Sequence, residues 1–235
     1  MDISALEKLP VQPMLAGHAL FQLLPAGARQ AISETGEVRH ARAGSQVDVS
    51  GEVWLVAEGA LAQLSPAGSV CVCLTSAGGV GGWEHGFSPA SGPQSVTAIL
   101  DTRYVTVPAR ALTEAIGEPW MEHVYARLAL GRLKLVEQEM ACLVGHPVSR
   151  RLANWLLRLA PMSGGEGLNI TQSILAQMMG VQRTSVNASA QALRRDGLIR
   201  FARGRVKIAD HAALAEHACG CGLRTAPAVP TSAVA

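Results

Sequence analysis

Arg183, Thr184, Ser185, Asn187 and Gln191 lie within nine residues and carry only hydrogen-bond donors and neutral acceptors. No carboxylate stands between Glu166 and Asp196. Such a set has no nucleophile–base pair and no metal-ligand pattern. It suits the edges of base pairs, which offer donors and acceptors in the major groove and which arginine reads in bidentate fashion at guanine. A helix would place these side chains on one face, because Val186, Ala190 and Leu193 recur at helical spacing on the opposite one.

Positioning such a helix requires a partner helix and a tight turn. Thr171 stands where a hydroxyl can cap a first helix, with Gln172 next to it and Leu175, Ala176 and Met179 as its apolar face. Gly180 ends that helix where a left-handed residue is needed, and Val181 plugs the gap before Arg183. The following Ile199 to Ile208 alternates Ile199, Phe201, Val206 and Ile208 around Arg203-Gly204, the pattern of a β-hairpin. Its other side carries Arg200, Arg203, Arg205 and Lys207. Thr171, Arg203 and Arg205 are therefore expected to hold phosphates. The pattern predicts a winged helix-turn-helix.

The charge agrees. Residues 146–208 hold ten Lys+Arg against two acids, a balance of +8, whereas the rest of the chain sums to −6. A basic third beside an acidic remainder fits a polyanion partner, double-stranded DNA. Hydrophobic residues make up 49% of the 235 residues, enough for a real core. No long apolar run reaches membrane-spanning length and no leader peptide is apparent, so a cytoplasmic chain without membrane association is expected.

Upstream, residues 1–38 read as short helices. Residues 39–109 read as a small β-barrel or sandwich, with glycines punctuating the runs Val53–Val56, Val70–Leu74, Val96–Leu100 and Tyr104–Val107. A long helix covers roughly 121–143. On it Met121, Val124, Leu128, Leu135 and Cys142 form an imperfect heptad stripe, the expected dimer seam. The fold class is thus α+β. The expected domains are a barrel at 1–116, a dimerisation helix at 117–145, a winged helix at 146–221 and a disordered tail at 222–235.

The stretch His146-Pro147-Val148-Ser149-Arg150-Arg151-Leu152-Ala153-Asn154-Trp155-Leu156-Leu157, followed by the Thr171 helix, Gly180, Arg183-Thr184-Ser185-Val186 and Gly197-Leu198-Ile199, resembles the DNA-binding domain of the Crp/Fnr superfamily. Barrel, long helix and winged helix follow in that family's order, the barrel being of the cyclic-nucleotide-binding jelly-roll type. More narrowly, Gly180–Val186 and the late Ala218-Cys219-Gly220-Cys221 resemble a poorly characterised subgroup with a degenerate effector domain. The resemblance implies a homodimer on a two-fold operator, a base contact by Arg183, and RNA polymerase, an unidentified small ligand or a protein as further partners. The chain has Thr184 and Ala188 where the family often has glutamate and arginine, so the familiar operators are not implied.

The resemblance also implies an effector cassette of Gly-Glu followed by arginine, in which a helix N-terminus and a guanidinium would neutralise a phosphate. Here only a degenerate version exists in Gly81, Gly82, Glu84 and Ser95, with no arginine between Gly82 and Asp101. Tight cyclic-AMP binding is not expected, and no cofactor is. The cysteine cluster of iron-sulfur members is missing, since residues 1–70 contain no cysteine. Cys219 and Cys221, near His211 and His217, could bind zinc or react reversibly, making a redox- or metal-controlled regulator the alternative. A protein-interaction scaffold is a third reading. No phosphate loop, His-Glu-x-x-His helix or Gly-x-Ser-x-Gly elbow occurs, so an enzyme is not expected.

Overall fold

The computed structural model describes residues 10–65, 70–86, 95–163, 165, 167–202 and 205–221, leaving aside the side chains at 85–86, 118–121, 123–125 and 202. Arg203, the side chains of Met121 and Val124, and the expected tail at 222–235 lie outside that description.

Three short helices, α1 (Val11–Leu15), α2 (Ala19–Leu23) and α3 (Ala26–Thr35), precede eight strands. These are β1 (Glu37–Ala41), β2 (Gln46–Val47), β3 (Glu52–Glu58), β4 (Ala60–Leu64), β5 (Cys71–Ser76), β6 (Val80–Gly81), β7 (Ser95–Ala98) and β8 (Thr102–Pro108). They pair antiparallel into two four-stranded sheets, ordered β1-β8-β3-β6 and β2-β7-β4-β5. Trp54, Val56, Leu61, Val96 and Tyr104, drawn from both sheets, share one buried core.

Both central strands are also buried on their outer faces. Val53 and Leu55 of β3 pack with Leu15, Phe21 and Ile32 of the N-terminal helices. Ala60, Ala62 and Leu64 of β4, with Cys71 of β5, join the core of the C-terminal domain. A strand covered on both faces reads as a continuous apolar run rather than an alternating one, which explains Val53-Trp54-Leu55-Val56.

Helix α4 (Ala109–Ile116) ends at Gly117, and α5 (Glu118–Gly145) then runs for 28 residues. The chain turns at His146-Pro147 into α6 (Val148–Leu159), α7 (Gln172–Met179), α8 (Arg183–Arg195), the hairpin β9 (Ile199–Ala202) and β10 (Arg205–Ile208), and α9 (His211–His217). Leu152, Trp155, Leu156, Leu175, Met178, Val186, Leu193 and Leu214 close this domain around one core. Fully burying each such side chain contributes about 1.5–3 kcal/mol, so the four helices are held by packing rather than by their own propensities. Among the described residues no helix is long and apolar enough to cross a membrane.

Candidate nucleic-acid interface

The helix-turn-helix is built by three local devices. The backbone N–H of Ile174 donates to Thr171 Oγ1 at 3.2 Å, capping α7. At the other end Gly180 takes φ 62° and ψ 40°, a left-handed conformation that closes the helix. Its N–H and that of Val181 then return to the carbonyls of Gln177 and Ala176. The third device is Arg151, 7% exposed, whose guanidinium donates to the carbonyl of Met179 in the last turn of α7. A buried cation there answers both an orphan carbonyl and the negative end of the helix.

Helix α8 then divides by face. Val186, Ala190 and Leu193 are buried. Arg183, Thr184 and Asn187 are exposed, while Ser185 and Gln191 are half-buried. Arg183, Asn187 and Gln191 fall four residues apart and so form one ridge. Gln172 Nε2 donates to Asn187 Oδ1 at 3.1 Å, which ties the start of α7 to the middle of the ridge. Thr184 Oγ1 reaches Gln182 Oε1 at 3.4 Å. Arg183 opens the helix, where the backbone N–H groups also point outward.

The hairpin beside it pairs Ile199 with Ile208, Arg200 with Lys207, Phe201 with Val206 and Ala202 with Arg205. Ile199 and Val206 are buried, Ile208 is half-buried and Phe201 is 40% exposed. Arg200 and Lys207, both exposed, stand directly opposite each other on the other face. Like charges at paired positions oppose strand pairing, so the hairpin forms at an electrostatic cost that an anion would remove. Arg205 lies on that same face, half-buried. Leu168 bridges to Val206 through two backbone hydrogen bonds of 2.8 and 2.9 Å, fixing the hairpin to the domain.

The residues of the expected dimer seam differ in exposure. Cys142 is 3% exposed and its thiol faces Cys219 of the same chain, so it is no surface residue. Leu128 and Leu135 are half-buried within their own chain. The reason is that α5 lies against the barrel and α6 through Arg132, which pairs with Glu84 at 2.9 Å, and through Glu139, which pairs with Arg158. Among the described residues, the most exposed large apolar side chains of α5 are Leu130, Leu133, Met140 and Val144. Their spacing of three, seven and four residues, with Glu137 completing the repeat, is itself a heptad stripe.

In the barrel, Gly81 and Gly82 pack against the Trp54 indole, which a Cβ at either position would meet at 2.3 and 2.2 Å. Glu84 lies in the 3-10 turn Trp83–Gly86 and accepts from Arg132 and, at 3.2 Å, from Gln63 Nε2. Ser95 begins β7, opposite Leu64. The glycines of the degenerate cassette thus serve tryptophan packing, and its carboxylate is held by the long helix.

Cys71 is buried and its thiol donates to the Cys73 carbonyl; burial pushes both thiols up. At the far end of α5, Cys142 Sγ lies 3.5 Å from Cys219 Sγ. With Cys221 Sγ the three sulfurs all fall within 4.8 Å of one another. The sequence places Cys219 and Cys221 with His211 and His217. In the structure neither imidazole belongs to this group. Cys142 takes their place from 77 residues away.

Residues 150–217 match the Crp-like helix-turn-helix domain family. The chain is 30% identical over 140 residues to proteins of two Mycobacterium tuberculosis strains described as a CRP-like cAMP-activated global transcriptional regulator. That match covers 56% of this chain and 62% of the relatives' length. Among solved structures, a Crp/Fnr-family regulator from Eubacterium rectale superposes with a TM-score of 0.66 at 20% identity, covering 85% of this chain and 97% of that one. A CRP-family regulator from Thermus thermophilus gives 0.62 at 22% identity, covering 77% and 96%. FixK2 from Bradyrhizobium japonicum gives 0.61 at 19% identity, covering 78% and 97%. Residues 150–217 thus carry a Crp-like helix-turn-helix domain by sequence, and the chain shares the fold of barrel, long helix and winged helix with these solved structures.

Proposed function

We propose that this chain is a sequence-specific DNA-binding transcription regulator that acts in the cytoplasm as a homodimer on a two-fold operator, without cyclic AMP. The observation that carries the reading is the exposed ridge of α8. A buried apolar face fixes its orientation, and Arg183, Thr184 and Asn187 are presented to solvent beside a hairpin with opposed exposed cations. Arg183 reads a base edge with Thr184, Ser185, Asn187 and Gln191 around it. The wing, through Arg200, Arg203, Arg205 and Lys207, and the start of α7 at Thr171 and Gln172 meet phosphates. In this reading residues 1–116 form a sensor barrel, 117–145 the dimer helix and 146–221 the DNA-binding domain.

Two observations support the finer parts. The stripe of Leu130, Leu133, Met140 and Val144 is an apolar row on a long helix, each side chain more than half exposed, and a second copy of the same helix would bury it. Two α8 helices would then enter successive major grooves one helical turn, roughly 34 Å, apart. The absence of arginine between Gly82 and Asp101, with Glu84 engaged by Arg132, leaves the cassette without its phosphate-neutralising cation.

The test is capture of fragmented genomic DNA by the purified, reduced, ligand-free protein at moderate salt. Enrichment of a palindrome supports the reading. Retention without sequence preference, abolished by added salt, contradicts it.

A further inference from the structure

We propose that Cys142, Cys219 and Cys221 form a binding site for one thiophilic divalent cation of the zinc class, which clamps the C-terminal domain to the end of the long helix. The three sulfurs come from two places in the chain. Cys142 lies in the last turn of α5, and Cys219 and Cys221 follow α9. They converge to within 4.8 Å of one another, with 3.5 Å between Cys142 and Cys219. Zinc–sulfur bonds of about 2.3 Å put tetrahedral sulfurs roughly 3.8 Å apart, so the observed spacing needs less than about 1 Å of adjustment.

Backbone geometry prepares the arrangement. Gly220, between the two late thiols, has φ +72°, a conformation open to glycine. It lets Cys219 and Cys221 turn their sulfurs to the same point. The segment is anchored on α6, where the Cys219 N–H donates to the Arg150 carbonyl at 3.4 Å and Arg150 Nε donates to the His217 carbonyl at 3.2 Å. Cysteine used as a small apolar filler is normally buried, as Cys71 is. Cys219 and Cys221 are only half-buried, so filling a core does not account for them, and their exposed side gives an ion a route in. Three protein sulfurs leave the fourth tetrahedral position to solvent.

The consequence is mechanical. The pair of anchors brackets the His146-Pro147 break between α5 and α6, so a bound ion joins the end of the long helix to the end of the winged-helix domain and restricts their relative rotation. None of the three cysteines lies on α8, and metal binding can be measured whether or not the chain reads DNA.

The experiment is equilibrium dialysis of untagged full-length protein against Zn²⁺ in a non-thiol reductant, with metal counted per chain. One ion per chain is expected. Cys221→Ser and the Cys219→Ser/Cys221→Ser pair should weaken binding by at least about 100-fold, beyond the 10–100-fold that loss of an outer-shell partner costs. Cys73→Ser should bind as the wild type does. Cys142→Ser places a hydroxyl in a buried position, so the half-exposed Cys221→Ser decides the matter if that variant does not fold. In parallel, Zn²⁺ should shield Cys142, Cys219 and Cys221 from alkylation, read by peptide mass spectrometry. No stoichiometric uptake by the wild type, or uptake unchanged in the Cys219→Ser/Cys221→Ser pair, overturns the proposal.

Discussion

Arg132, midway along α5, donates to Glu84 at 2.9 Å, and both side chains are largely buried, at 26% and 13% exposure. This contact joins the glycine-rich turn of the barrel to the long helix that leads to the DNA-binding domain. Glu84 also accepts from Gln63, which projects from β4. The barrel's one cassette carboxylate is therefore built into the connection between domains.

Removing Arg132 leaves a mostly buried carboxylate with fewer donors. Arg132→Ala is expected to destabilise the chain by about 2 kcal/mol. Glu84→Gln in the same background should restore part of that loss, because the uncompensated charge disappears. Thermal unfolding of the two single variants and the double variant checks this, with the coupling read from the double-mutant cycle.

Gly180 sits at φ 62° and ψ 40° between the two helices of the helix-turn-helix. Gly180→Ala should cost about 1–2 kcal/mol, the strain of a left-handed L-residue. The loss should appear in the unfolding of the C-terminal domain and leave the barrel's protection from hydrogen exchange unchanged.

Arg200 and Lys207 face each other across the hairpin. Replacing either with alanine should weaken binding to operator and random DNA alike. It should also lower the slope of log affinity against log salt by roughly 0.9 for each phosphate no longer neutralised. In the absence of DNA, Lys207→Ala should leave stability unchanged or raise it slightly, since a like-charge pair is relieved. Titrations at several salt concentrations give the slope, and thermal unfolding of the free protein gives the stability.

Leu133 and Val144 are 54% and 88% exposed on α5. Leu133→Glu with Val144→Glu should leave the single chain folded yet shift sedimentation from dimer to monomer, because the substituted side chains bury little within their own chain. Cys142→Ala should leave the dimer intact.

The helix-turn-helix and wing were legible because their signals are local. A capping threonine, a left-handed glycine and a period-two hairpin each act over a few residues. Strand β4 was not anticipated, since Ala60-Leu61-Ala62-Gln63 is rich in alanine, which has little preference for strands. Its burial comes from domains packing on both faces. The exposed stripe of α5 was hard to pick out for another reason. The helix carries Leu128, Leu130, Leu133 and Leu135, so apolar residues run along more than one stripe and periodicity cannot choose between them. Which side of α5 faces its own chain follows from a pair of long-range ion contacts, Arg132 to Glu84 and Glu139 to Arg158. Cys142 was likewise invisible as a partner of Cys219, which lies 77 residues away.

The proposed function rests on the exposed ridge of α8 reading base edges. Its most direct measurement is the ratio of affinities for the selected operator and for random DNA of equal length, at one salt concentration, for the wild type and Arg183→Ala. The ratio is expected to fall by roughly 1–3 kcal/mol while affinity for random DNA changes little. Equal losses on both DNAs would make Arg183 a phosphate contact and contradict the assignment of α8 as the reading helix.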